Sequence, residues 1–255
     1  MPHKVYLAPS NQTDNLYWGG ETNEAVVCQA IANRVERELK ANVFEVKTGK
    51  HALSLAQKAR EAKNWKAEVY IAIHSNASKD HKARGVEVWF YTGSEDGEKL
   101  ARAVYDPLEE LVGNGRGLKN NQTFQDLKNP TMPSIIIEIA FHDNKQDAEL
   151  ILENKTAISN AIAEGICQYF GVKYKGTSSA VSPGEDSEKG LEPLFKVHID
   201  EFLNLRTGPG TAYEKIGSVS EGSIQTIYDT DKEKKWGYNG EGWHSIQDKY
   251  VSKVK

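Results

Sequence analysis

PSIIIEIAFHDN, residues 133–144, is an apolar run interrupted by a single carboxylate, Glu138. Such a run, bounded by a proline and by polar turn residues, reads as a buried strand over Ile135–Ile139. VYIAI at Val69–Ile73 has the same character and closes on His74. Further strand-like runs lie at Lys4–Pro9, Val43–Val46 and Val86–Tyr91. Between them the period changes from 2 to 3.6. Glu24–Lys40 places Val27, Ile31, Val35 and Leu39 on one helical face, and Ala52–Trp65, Gly97–Val112 and Asp147–Phe170 repeat the pattern. Strands alternating with helices predict an α/β domain with a central, largely parallel sheet flanked by helices. Ligands in such sheets bind beyond the carboxyl ends of the strands.

The pattern ends near Tyr174. YKGTSSAVSPGEDSEKG, residues 174–190, has almost no large apolar residue and reads as a flexible linker. It separates residues 1–173 from residues 191–255. The latter hold short strand candidates at Phe195–His198, Leu203–Arg206, Gly222–Tyr228, Lys235–Tyr238 and Trp243–Ile246, set apart by Gly, Pro and Asp. That is the pattern of a small all-β barrel or sandwich, and its aromatic residues are expected to supply much of the core.

Composition narrows the function classes. The 255 residues are 38% hydrophobic and 27% charged with a formal net charge of -4, which argues against a dedicated nucleic-acid binder. No apolar run approaches the ~20 residues of a membrane span, so no membrane partner is expected. The N-terminus enters a strand-like run directly, without the pattern of a secretory signal. Cys28 and Cys167 are too few for a disulfide framework and read as buried core thiols.

Three polar residues stand where the strand ends of a buried sheet would place them. Glu138 interrupts its strand, His74 closes another, and Glu24 opens the first long helix. An ionisable group in an apolar strand is costly unless paired, hydrogen-bonded or bound to a metal. For Glu138 a catalytic role and a structural hydrogen bond are both open on this ground. His3, His51, His81, His198 and His244 match no motif and read as surface residues.

TNEAVVCQAIA, IAIHSNAS, GVEVWFY and PSIIIEIAFHDN together, in this order and spacing, resemble the zinc-dependent N-acetylmuramoyl-L-alanine amidases of the amidase-3 class, found in autolysins and phage endolysins. The resemblance covers residues 1–173. It implies Zn2+ as cofactor, Glu24 and His74 as zinc ligands, and Glu138 as the catalytic acid/base. One family feature is missing: the first strand normally ends in a motif whose histidine is a further ligand, and Asn11 stands in its place within LAPSNQTDN. Either the site binds zinc weakly or another residue substitutes. His142 is the favoured substitute, because it lies four residues beyond Glu138 and an extended chain would point both side chains the same way. Gln12 is a weaker candidate. Asn11, Gln12 and Asn76 are expected at the substrate.

LNLRTGPGTAYEKIG, with WGYNGEGWHSI and a closing YV, resembles bacterial SH3-type wall-binding domains. Gly208, Pro209 and Gly210 would form a turn flanked by Arg206 and Tyr213. The combined expectation is a peptidoglycan hydrolase that cuts between N-acetylmuramic acid and L-alanine. It would be an endolysin held in the host cytoplasm until release and directed at a Gram-positive wall. The alternatives are a zinc peptidase acting on stem-peptide bonds and a non-catalytic wall binder.

Overall fold

The computed structural model describes residues 2–20 and 22–176, and in the C-terminal part 194–197, 202–206, 208–213, 215–220, 223–227, 229–230, 233, 235–239 and 243–253. The chain divides into two compact units, Met1–Ser187 and Glu188–Lys255.

Six strands of the first unit form one sheet. They are β1 (Lys4–Pro9), β2 (Glu45–Thr48), β3 (Val69–Asn76), β4 (Glu87–Tyr91), β5 (Leu118–Asn121) and β6 (Ser134–Phe141), in the order β2-β1-β3-β6-β4-β5. All pairings are parallel except β4 against β6. That reversal matters for the site: it brings the beginning of β4 to the edge where β1, β3 and β6 end.

Helices α1 (Glu24–Ala41), α2 (Leu55–Trp65), α3 (Glu95–Val112), α4 (Gln125–Lys128), α5 (Lys145–Glu153) and α6 (Lys155–Tyr169) complete the unit. Alternation along each strand sorts side chains onto two faces. Val5, Leu7, Ile71, Ile73, Ile135 and Ile137 join Val27, Ile31, Leu100, Val104, Ile158 and Ile162 in the larger core, which includes both buried cysteines. Tyr6, Ala8, Tyr70, Ala72 and Ile136 meet Ala62 and Leu127 in a smaller core on the other face. His74 and Glu138 follow Ala72 and Ile136 in the same alternation, so they emerge at the rim of the smaller core. On the opposite face α6 crosses α3 closely at Gly165, where a Cβ would come within 2.4 Å of Ala103 O.

Caps explain where several elements begin. Ser54 Oγ accepts from Gln57 N and Gln57 Oε1 accepts from Ser54 N, a reciprocal box that starts α2 at Leu55 rather than at Ala52. Asn23 and Ser94 cap α1 and α3. The segment expected as one helix over Asp147–Phe170 is two. Asn154 breaks it, its backbone and side-chain N–H groups both turning back to Leu150 O. The second strand begins two residues later than Val43, because Val43 is a turn residue at φ 70°. Tyr174 and Lys175, expected in the linker, are bound to the first unit through Glu38 and Asn42. Linker positions 177–190 lie outside the described residues.

The second unit is all β in its described parts: β7 (Leu194–Val197), β8 (Phe202–Arg206), β9 (Lys215–Ser220), β10 (Ile224–Thr226), β11 (Asp229–Thr230), β12 (Trp236–Tyr238), β13 (Trp243–Ser245) and β14 (Val251–Lys253). They pair antiparallel in the orders β10-β7-β14 and β11-β12-β13-β8-β9. The described core is aliphatic (Val197, Leu205, Val219, Ile227, Ile246 and Val251) with Tyr250 packed against it, and the side chains of Phe195, Phe202 and Tyr238, expected in the core, lie outside the described residues. Tyr213 is exposed and lies over Gly208, where a Cβ would meet its ring at 2.4 Å; Arg206 Nη1 donates to Tyr213 O. His244, expected at the surface, is fully buried, its Nδ1 3.0 Å from Ser245 O. His198 and Tyr228 lie outside the described residues.

Candidate active site

His74 occupies the end of β3, buried between carboxylates. Its Nδ1 lies 2.9 Å from Glu24 Oε1, and its Nε2 lies 3.4 Å from Asp126 Oδ2. Glu24, wholly buried at the first position of α1, is in turn held by Asn15, whose Nδ2 donates to Oε2 over 2.7 Å. Asp126 projects from the short α4 and accepts from Tyr70 Oη over 2.6 Å. Burial alone would discharge the imidazole. Hydrogen bonds to Asp126 and Glu24 outweigh it and hold the His74 pKa up at about 10. The same contact, with help from Asn15, keeps Glu24 below the usual carboxylate range despite its burial.

Glu138 stands opposite His74 in the β3–β6 register. Its Oε2 is buried and has no hydrogen-bond partner among the described residues. Burial pushes its carboxyl up to about 8; His74 opposes the shift, while Glu24, Glu87 and Asp126 add to it. Glu138 is thus a carboxyl poised to hold or release a proton near neutral pH. On its other side Glu87, in register with it from β4, is saturated. Glu87 Oε1 accepts from Asn76 Nδ2 and Trp89 Nε1, both at 3.0 Å; Oε2 accepts from Arg116 Nε at 2.7 Å and Lys119 Nζ at 2.5 Å. Burial resists the charge on Glu87, but the hydrogen bonds from Lys119 and Arg116 keep its pKa low.

The structure does not bring His142 into the Glu24–His74 group. Between His74↔Glu138 and Asn76↔Phe141 the register advances two residues on β3 and three on β6. This bulge inverts the alternation on which the sequence expectation rested. Phe141 therefore faces the Arg116 side, its ring 5.1 Å from the guanidinium, and His142 turns to the opposite side. There its Nδ1 lies 3.0 Å from both Ser75 Oγ and Ser75 O, and its ring stacks on Tyr17. Asn11 is also directed away, donating to Leu53 O at 3.3 Å. The neighbour that does approach is Gln12, whose Nε2 lies 3.5 Å from His74 Nδ1 and whose Oε1 accepts from Asn15.

The family described as N-acetylmuramoyl-L-alanine amidase (Amidase_3) matches residues 11–168. The chain belongs to this amidase family. It is 30% identical over 125 residues to a germination-specific N-acetylmuramoyl-L-alanine amidase of Bacillus subtilis, covering 48% of this chain and 53% of that protein. It is 28% identical over 160 residues to the endolysin of Bacillus phage SPP1, covering 58% of each. The fold is similar to the catalytic domain of CwlV, an N-acetylmuramoyl-L-alanine amidase from Bacillus (Paenibacillus) polymyxa var. colistinus. That match has a TM-score of 0.62 at 25% identity and covers 67% of this chain and 99% of the other. The chain spans about half the length of the curated relatives it matches.

Among the described residues no group of three or more His, Cys, Asp and Glu is arranged to hold a metal ion. Two strong donors nevertheless converge. Asp126 engages Nε2 of His74, the outer arrangement metal-ligating histidines use, so Nδ1, here against Glu24 Oε1, is the nitrogen that would meet a cation. Asn15 holds one oxygen of Glu24 and leaves the other beside that Nδ1. Their separation of 2.9 Å is near the spacing of about 3.3 Å between ligands around tetrahedral zinc. The Gln12 amide is the next group, and a half-turn would present its oxygen at the cost of one Asn15 hydrogen bond, about 1 kcal/mol. The set fits a divalent ion with two strong donors and one weak one.

Sequence reading missed Asp126, Asn15, Glu87, Arg116 and Lys119. Only Glu87 carried a usable signal, being a carboxylate inside the apolar run VEVWFY much as Glu138 is in its own.

Proposed function

We propose that the chain is a peptidoglycan hydrolase that cleaves the amide between the lactyl group of N-acetylmuramic acid and L-alanine. The observation that carries this reading is Glu138, a carboxyl with a buried unpartnered oxygen beside His74 at the strand ends. Glu138 takes a proton from the attacking water and delivers it to the departing amine of L-alanine. Glu24 and His74, with Gln12, would hold a divalent cation, zinc by family resemblance. When bound, that ion polarises the scissile carbonyl and acidifies water. Asp126 and Asn15 orient the two strong donors, and Asn76 faces the substrate from the end of β3. Residues 191–255 serve as an SH3-type wall-binding module, and the similarity to a phage endolysin supports a lytic role on Gram-positive walls.

Digestion of purified walls tests the reading. Mass spectrometry is expected to find glycan strands bearing free lactyl acids, together with peptides that begin at a free L-alanine amine. Peptides shortened at other stem bonds, on intact muramic acid, would instead indicate a stem peptidase. The metal assignment has its own test. Gln12→His supplies imidazole where an amide stands and should tighten Zn2+ by about ten- to a hundredfold, the range over which ligand surroundings tune affinity. His142→Ala should leave Zn2+ content unchanged. Titration against a competing chelator reads both, and loss of metal in His142→Ala would return that histidine to the ligand set.

A further inference from the structure

The site is polar from one side to the other. Carboxylates crowd the His74 side, whereas two cations, Arg116 and Lys119, gather on the β4–β5 side. Both bind the same oxygen of Glu87. Two positive groups against one carboxylate leave a net charge of +1. Glu87 is 3% exposed and uses its other oxygen for Asn76 and Trp89, so it offers neither cation more. The cations themselves are open, with side-chain exposures of 37% for Arg116 and 31% for Lys119. The Arg116 side chain donates to the described residues from Nε, to Glu87, and the fork of its two terminal nitrogens is turned to a planar anion. Lys119 Nζ lies 5.2 Å over the Trp89 ring, and Trp89 meets the exposed Phe124 edge-on, so an aromatic wall borders the pair.

Position gives this patch its meaning. Glu87 is directly opposite Glu138 on adjacent antiparallel strands, which separates their Cα atoms by only about 5 Å. An anion held by Arg116 and Lys119 thus lies beside Glu87, the residue paired across the strands with the proposed acid/base. We infer that Arg116 and Lys119 form a carboxylate-binding subsite that receives the free main-chain carboxylate of the second residue of the peptidoglycan stem peptide. That residue is a glutamate joined through its side chain, so its main-chain carboxylate is left free, or is amidated in some walls. The inference rests on the amidase reading for the identity of the ligand. The subsite selects substrate by charge and places the scissile amide, which lies one residue away, toward Glu138.

The test compares N-acetylmuramoyl-L-alanyl-γ-D-glutamyl-L-lysine with its D-isoglutaminyl counterpart, which differs only in carboxylate against carboxamide at the second residue. Both are measured for hydrolysis by the full chain and for binding by calorimetry to Glu138→Gln. The expected result is a preference of at least about tenfold for the carboxylate, the size of a charge-assisted hydrogen bond, seen in KM and in Kd. Arg116→Gln and Lys119→Gln should each pull the ratio toward one, and Lys119→Arg should restore part of it. Raised salt should erode the preference. Equal KM and Kd for the two compounds would overturn the subsite, as would variants that lose kcat equally on both while keeping the ratio. Turnover without discrimination leaves the amidase reading standing and removes the subsite. Discriminating binding without turnover does the reverse. If neither compound is bound or cut, both fail.

Discussion

Glu138→Gln is expected to lower hydrolysis of purified peptidoglycan by about 10²–10⁴-fold, the usual cost of losing a general acid/base. The amide has nearly the same shape but cannot take up the proton of the attacking water. The substitution should not unfold the chain. Oε2 of Glu138 has no partner to lose, and burial already disfavours its charged form. Removing that carboxyl gives up its attraction to His74 and relieves its repulsion with Glu24, Glu87 and Asp126, so the midpoint of urea unfolding should hold. Binding of the proposed zinc ion should be unchanged, because Glu24 and His74 face each other independently of Glu138. The informative measurement is therefore a triple one: wall-lysis rate, unfolding midpoint and metal stoichiometry. A variant that lyses walls at near-normal rate would remove Glu138 from the chemistry. One that loses metal along with activity would make it a ligand instead.

The fold was legible where burial is two-sided. β1, β3 and β6 are covered by helices on both faces, so their sequences are nearly continuous apolar runs, and the exceptions, His74 and Glu138, mark the site. β5 escaped because it lies at the sheet edge and reads LKNN, without apolar periodicity. α4 escaped because four residues are too few to show a helical period. That segment supplies Asp126, and Arg116 and Lys119 flank the start of β5, so most of the supporting chemistry lies in unpatterned sequence. The misplaced ligand has a different cause. A single extra residue in β6 reverses which side His142 faces, and an extra residue in a strand leaves no trace in composition. Gln12 approaches His74 only because the loop after β1 is laced to the start of α1, where Ala25 N donates to Gln12 O and Glu24 N to Asn15 O. Such long-range closure is a property of the folded chain.

Asp147 braces the end of β6 beyond its pairing with β3, and removing it should produce the largest loss of stability. Asp147, at 1% exposure, receives Arg84 Nε on Oδ1 at 2.8 Å. Its Oδ2 receives Gly85 N at 2.8 Å and Phe141 N at 3.1 Å. It therefore ties the loop before β4 to the last residue of the bulged strand. Asp147→Ala leaves two buried backbone N–H groups without an acceptor, each costing about 1–3 kcal/mol, and strands a half-buried guanidinium. The expected total is about 3–5 kcal/mol, a large part of the roughly 5–15 kcal/mol that holds a typical domain together. Asp147→Asn should cost less. Its oxygen can still accept from both backbone groups, and only the contact with Arg84 turns unfavourable, which that side chain can relieve by swinging toward water. Urea unfolding of the three proteins should give midpoints in the order Asp, Asn, Ala with similar slopes. Hydrogen exchange at Phe141 and Gly85 should quicken first in the alanine variant, because those amides lose their acceptor directly. A loss below about 1 kcal/mol for alanine would mean that water or a shifted loop replaces the carboxylate. In that case the bulge that turns His142 away from His74 must be maintained by Ser75 and Tyr17 rather than by Asp147.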